Sequence, residues 1–206
     1  MPRAVRATIG VRCRPRKEKP QAAENGAVRY REPIERSPSV ITVRCATRTD
    51  ADAIADVQLL TWHATYNDYI PDVVAAMDRV RTAANWADAT AQPGQHVAVA
   101  LRHHRLIGYA HSGPADPADH AFGAEQELYA LYVHPNEQGL GAGRALVIDA
   151  FATKNARWSV WALSDYAPAR RFYESQGFEL VPNAQRQWRG LPEVLYLRKV
   201  TQRTGE

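Results

Sequence analysis

At 206 residues and 45% apolar composition the chain can build one well-buried core, and it contains no run of roughly 18 uncharged apolar residues that would span a membrane. The net charge of +4 suggests nucleic-acid binding until it is divided: residues 1–40 hold ten Lys/Arg against four Asp/Glu, and residues 41–206 hold sixteen against eighteen. The basic excess therefore belongs to an Arg- and Pro-rich extension without hydrophobic period, expected to be disordered, and the remainder has no electrostatic footprint for nucleic acid. The two cysteines, Cys13 and Cys45, show neither metal-ligand spacing nor a disulfide framework. With no apolar h-region of a secretory signal, the expected compartment is the cytoplasm.

Ordered structure is expected from Val40, where the segment ITVRCAT has the β-branched character of an edge strand. Thr49 followed by Asp52 resembles a capping box, and Ile54, Val57, Leu60 and Ala64 follow helical spacing, which predicts a first helix over 50–65. An aromatic turn, 62–69, leads to Pro71, which opens a second helix with Val73, Met77 and Val80 on one face. Residues 96–101 and 106–111 read as an antiparallel hairpin closed by 102–105. The stretch 112–123 is rich in Pro, Asp, Ala and Gly and reads as a surface loop.

Residues 127–145, ELYALYVHPNEQGLGAGRA, organise the second half of the chain. Leu128, Ala130 and Tyr132 fall on one side of a two-residue period and Tyr129, Leu131 and Val133 on the other, the pattern of a strand buried on both faces. Gly139, Gly141 and Gly143 then precede a helical run, 144–152. A helix start with so little side-chain bulk leaves backbone N–H groups for an anion, so the turn reads as a phosphate cradle. Arg144-Ala145 stands where a P-loop needs Lys-Ser/Thr, and a dinucleotide fingerprint would place the third glycine one position later and omit the HPNEQ insertion. A buried strand over 158–163 comes next. A short helix with Pro168 in its first turn and Gly177 at its stop follows, presenting Ala169, Phe172, Tyr173 and Gln176 on one face. Strands near 178–181 and 194–200 close the chain. The sum is a mixed α/β sheet with antiparallel strands around one strand–helix–strand unit.

Gln138-x-x-Gly141-x-Gly143 after a strand ending in VHP, followed by Ala169-x-x-Phe172-Tyr173-x-x-x-Gly177-Phe178, closely resembles the GCN5-related N-acetyltransferase (GNAT) superfamily over about residues 41–200. The resemblance implies the α+β GNAT fold: a mixed, mostly antiparallel sheet flanked by helices, with a splayed central strand pair. It also implies acetyl-CoA as acetyl donor. By the same resemblance Gln138, Gly139, Leu140, Gly141, Ala142, Gly143 and Arg144 would bind the pyrophosphate, and the main chain of Leu131, Tyr132 and Val133 would meet the pantetheine arm and acetyl carbonyl. Tyr166 stands where relatives often carry an Asn that contacts the cofactor. Tyr173 matches the family's general acid, a phenol of pKa near ~10 that is protonated at neutral pH.

An ammonium has no lone pair, so its proton must first leave, and a carboxylate near the central strand could accept it directly or through water. By the same resemblance Glu127 and Glu125 occupy places where similar enzymes put such a base; they share strand parity, and Glu127 is preferred as the closer to where the acetyl group would lie. Trp62, Tyr66 and Tyr69 are candidates for the acceptor wall or for packing, and Asp116, Asp119 and His120 for reading a cationic substrate. His134 reads as structural. The expected organisation is an extension (1–40), one acetyltransferase domain (41–200) and a short tail (201–206). The expected activity is direct acetyl transfer to a small-molecule or protein amine, without metal or membrane, with a homodimer allowed. A non-catalytic acyl-CoA-binding sensor on the same fold is the alternative.

Overall fold

The computed structural model describes residues 40–199. The basic extension up to residue 39 and the tail expected over 201–206 lie outside the described residues. The elements in chain order are β1 (Thr42–Cys45), α1 (Ala51–Tyr66), α2 (Pro71–Ala75), α3 (Arg79–Ala89), β2 (His96–Arg102), β3 (Arg105–Pro114), β4 (Gln126–Val133), α4 (Ala142–Thr153), β5 (Trp158–Leu163), α5 (Ala167–Ser175), β6 (Glu179–Trp188) and β7 (Leu191–Arg198). The strands form one sheet in the order β1-β2-β3-β4-β5-β7-β6, antiparallel except for β4 beside β5. Among the described residues no helix is long and apolar enough to cross a membrane.

Two hairpins fix most of the register. His103 and His104 take φ of 50° and 61°, and Arg189 and Gly190 take 50° and 80°. Consecutive left-handed residues twist a two-residue turn in the sense that flanking strands require. The two sheet faces bury different helices. Leu146, Val147 and Ala150 of α4 pack with Ala98, Leu128, Val160 and Tyr173 on one side. Ile54, Ala55 and Val57 of α1 pack with Trp86 of α3, Val99 and Tyr109 on the other.

The structure corrects several local expectations. The capping box sits two residues earlier than Thr49/Asp52: the Thr47 amide donates to Asp50 Oδ2 at 2.8 Å, and Asp50 ends a 3₁₀ turn that leads into α1. The buried face of α1 carries Ile54, Val57 and Thr61, whereas Leu60 is 50% exposed. The helix expected from Pro71 is two helices, because Asp78 accepts from the Arg81 amide at 2.6 Å and starts α3 with a cap of its own. The loop 112–123 contains the end of β3 and a 3₁₀ helix, Pro117–Phe122. The last two strands form a hairpin longer than expected, 179–188 with 191–198, with a register irregularity between Leu180 and Gln185.

The most consequential correction lies in β4. His111 pairs with Ala130 but Ser112 pairs with Leu128, so Tyr129 is an extra residue, a β-bulge. The alternation resets there. Leu128 joins Leu131 and Val133 on the α4 face, while Ala130 and Tyr132 face α1 and α3. Because neighbours in a strand point to opposite faces, Glu127 lies on the side opposite Leu128, the side that Tyr132 shares.

Leu146 is fully buried where α4 meets the sheet. Leu146→Ala is expected to cost about 2–5 kcal/mol through lost burial and a residual cavity, read as a lower urea midpoint with unchanged far-UV circular dichroism.

Candidate functional site

Parallel pairing of β4 with β5 is confined to Gln126↔Trp158 and Glu127↔Ser159. Beyond those two pairs the strands diverge, and a cavity of about 680 Å³ opens between them. Its lining runs from the turn before α4, along 127–133 of β4, to α1, α5 and the tip of the β6–β7 hairpin. The cavity thus passes through the sheet and collects side chains from both faces.

At one end lies the glycine turn. Gly139 and Gly141 take φ of 76° and 92°, the left-handed region, and no atom lies within 4 Å of a Cβ placed on either. The backbone there faces open space that a ligand can approach closely. Gly141 is the N-cap of α4 and offers no side chain to its first-turn amides, which leaves them aimed at the opening. Gln138 Nε2 donates to the Val133 carbonyl at 3.1 Å and ties the turn to the end of β4. Gly143 has a different reason to be glycine: a Cβ would stand 3.2 Å from the Phe172 ring of α5. Gln138, Ala142 and Arg144 line the cavity, as do Leu131, Tyr132, Val133 and Tyr166, the N-cap of α5. Leu140 is 52% exposed and outside the lining. This amide-rich, side-chain-poor rim, continuous with a strand edge that has no strand partner among the described residues, fits a long ligand with an anionic end, such as coenzyme A.

Midway sits Tyr173, reaching the cavity from α5 and buried against Phe178. Burial raises its pKa, and Tyr66 and Glu193 add to the shift, so the phenol stays protonated at neutral pH. Tyr66 of α1 and Tyr132 of β4 meet hydroxyl to hydroxyl at 3.1 Å.

At the far end Glu127 is 6% exposed. Burial pushes its pKa up to about 7; Arg186 opposes the shift, and Asp119 reinforces it. Arg186 Nη1 lies 4.0 Å from Glu127 Oε1, while its Nε donates to Glu193 Oε2 at 2.6 Å. The guanidinium also stacks 4.5 Å over the Trp161 ring, whose Nε1 donates to the buried Asp119 at 2.9 Å. Trp62, Tyr66 and Trp188 complete the wall, with ring centroids 5.1–5.7 Å apart.

Three groups of candidates are not at the cavity. Glu125 precedes β4, is exposed, and accepts from the Arg157 amide at 3.0 Å. Tyr69 is 39% exposed beyond the end of α1. Asp116 and His120 are exposed outside the lining, and Asp119 holds Trp161 instead of facing substrate. His134 caps a 3₁₀ turn, its Nδ1 accepting from the Asn136 amide at 3.2 Å. Sequence reasoning missed Trp161, Arg186, Trp188 and Glu193. The dipeptide Arg189-Gly190 between two β-patterned runs was the available hairpin signal for the last three.

An acetyltransferase (GNAT) domain model matches residues 93–180. An uncharacterized N-acetyltransferase of Mycobacterium bovis is 30% identical over 139 residues, covering 64% of this chain and 85% of that protein. Mycothiol acetyltransferase of Frankia casuarinae is 36% identical over 88 residues, 41% of this chain and 22% of that one. The chain spans between about a fifth and three fifths of the first curated relatives it matches. Among solved structures, the PaiA N-acetyltransferase of Thermoplasma acidophilum in complex with coenzyme A superposes with a TM-score of 0.64 at 16% identity, covering 78% of this chain and 99% of that one.

Glu127 also couples stability to pH. Its folded pKa of about 7 lies above its ordinary 4.5, so its contribution is full below about 4.5 and is lost as pH rises through about 7. Wild type is expected to lose stability relative to Glu127→Gln between those limits, in urea titrations at pH 5 and 8, with a carboxyl carbon titrating near pH 7 by NMR.

Proposed function

The chain belongs to the GCN5-related N-acetyltransferase superfamily, and from that premise we propose that residues 41–200 transfer the acetyl group of acetyl-CoA to a primary amine. The observation that carries the proposal is the convergence of Glu127 and Tyr173 on one cavity that opens beside the glycine turn. When bound, acetyl-CoA supplies an acetyl thioester as the electrophile. The residues proposed to hold it are the backbone of 138–144 for the pyrophosphate and the free edge of β4, Leu131 to Val133, for the arm, with Tyr166 beside it.

Glu127 is proposed as general base. With a pKa of about 7 it is substantially ionised at neutral pH yet basic enough to take a proton from an ammonium. Tyr173 is proposed to donate a hydrogen bond to the departing sulfur. Its raised pKa keeps that proton in place until negative charge develops, and makes stabilisation by hydrogen bonding, rather than complete transfer, its main contribution. Among the described residues no cysteine lines the cavity, which supports direct attack by the amine over a covalent relay. Tyr166, in place of an amide side chain, is the one feature favouring a non-catalytic acyl-CoA sensor.

Thiol release from acetyl-CoA across an amine panel tests the assignment. Tyr173→Phe and Glu127→Gln are each expected to lower kcat by roughly 10²–10³-fold with little change in the donor's KM. Wild-type kcat is expected to rise with pH through about 7, and Glu127→Gln to lose that limb. A thermal shift with acetyl-CoA but no transfer to any amine would favour the sensor.

A further inference from the structure

The chemistry of the acceptor can be read from the far end of the cavity, on the premise that acetyl transfer is the reaction. Two of its walls come from elements distant in sequence, α1 and the tip of the β6–β7 hairpin. Trp188, the last residue of β6, spans the distance between them. Its ring centroid lies 5.7 Å from that of Trp62 and 5.5 Å from that of Tyr66, and those two lie 5.1 Å apart on successive turns of α1. A polypeptide running between helix and hairpin would have to break this three-ring contact. The bridge makes the acceptor end a chamber roofed by aromatic rings instead of a groove open along its length.

The charges inside the chamber are few. Glu127 and Glu193 are both buried, at 6% and 8% exposure, and Arg186 is the guanidinium in contact with them. Arg186 is committed to Glu193 at 2.6 Å and stands off from Glu127 at 4.0 Å. Arg189, the other arginine on this wall, is exposed and lies 5.5 Å from the centroid of the Trp188 ring. Inside the chamber one cation thus serves two carboxylates, which leaves room for one more positive charge beside Glu127. A second ammonium on the acceptor would find no unpaired carboxylate, and a carboxylate on it would face Glu127 and Glu193 together. The remaining walls include the rings of Trp62, Tyr66 and Trp188, which favour flat apolar surface.

We propose that the acceptor is a small primary amine carrying a single positive charge and an arylalkyl body, and that Trp188 excludes polyamines and protein amines by closing the chamber against α1. Trp188 is then a specificity-determining residue for which Glu127 supplies the polar counterpart.

The test uses the full chain with saturating acetyl-CoA and three probes: 2-phenylethylamine, spermidine, and a short peptide with a free N-terminal alanine and an internal lysine. kcat/KM comes from thiol release, and amine binding from calorimetry in the presence of coenzyme A, which needs no turnover. The expected result is a preference of at least about tenfold for 2-phenylethylamine over both other probes, with Trp188→Ala losing about tenfold for it and Trp188→Phe retaining most of the activity. Thermal melts of both variants show whether they fold. Preference for the peptide or spermidine overturns the inference, as does a folded Trp188→Ala that keeps the wild-type selectivity. If no probe is acetylated but 2-phenylethylamine binds selectively and Trp188→Ala weakens it, the acceptor class stands and the transfer reading falls. If 2-phenylethylamine is neither acetylated nor bound, the acceptor class falls.

Discussion

The gap between β4 and β5 is the constraint on which the other features depend. Parallel strands normally continue pairing until one of them ends, because each unpaired N–H and C=O must otherwise find another partner. Here pairing stops at Glu127↔Ser159, although β4 continues to Val133 and β5 to Leu163. The bulge at Tyr129 begins immediately after the last pair. A bulge bends its strand and increases local twist, and that turns β4 away from β5 while preserving its ladder with β3. The same extra residue resets the alternation. Leu128, Leu131 and Val133 can therefore all serve the α4 side, while Glu127 and Tyr132 lie toward α1.

Electrostatics at Glu127 depend on the same opening. A carboxylate inside a continuous sheet would be neutral and useless as a base; one at the surface would be too acidic to hold the proton of an amine. Burial raises Glu127, and Arg186 at 4.0 Å limits the rise. The limit is mild because Arg186 gives its short contact to Glu193. Arg186 in turn lies over the Trp161 ring, and Trp161 donates its indole N–H to the buried Asp119. Asp119 acts on the cavity only through the indole it holds and through its charge. The result is a carboxyl group poised near neutral pH, set first by burial and then by the distance to the Arg186 guanidinium, which suits the proposed base.

The sequence was most legible where side-chain identity and backbone requirement coincide. The glycines at 139, 141 and 143 mark a turn before a helix, and residues 158–163 are apolar enough to be a strand; the turn and the strand stand where expected, and the structure adds that Gly139 and Gly141 take left-handed backbone. The bulge was invisible because 128–133 is apolar at nearly every position, so either register satisfies the pattern. Glu125 and Glu127 share strand parity, which leaves both as candidates with Glu127 preferred, but β4 begins at Gln126 and leaves Glu125 outside the ladder. Pro182 and Pro192 lie inside the β6–β7 hairpin and interrupt its strand pattern, and the strands expected near 178–181 and 194–200 stop short of Arg186, Trp188 and Glu193. That hairpin is tolerated because β6 is an edge strand and its register breaks between Leu180 and Gln185.

The three glycines of the turn do not share one purpose, and the difference joins the two halves of the proposed site. Gly139 and Gly141 have open space beyond them and serve backbone shape; at Gly143 a Cβ would crowd the Phe172 ring at 3.2 Å. Phe172 sits 5.5 Å ring to ring from Tyr173, its neighbour in α5. The first turn of α4 and the helix carrying the proposed acid thus meet at the Phe172 ring. A shift of α5 that moved Tyr173 would carry Phe172 against the start of α4, so the proposed phosphate cradle and the proposed acid hold a fixed spacing. A cofactor anchored at its pyrophosphate presents its sulfur at a distance set by its own length, and a fixed spacing between anchor and acid is what lets a remote binding contact align the reacting group. In this reading the Gly143–Phe172 contact is as much a determinant of geometry at Tyr173 as any residue lining the cavity.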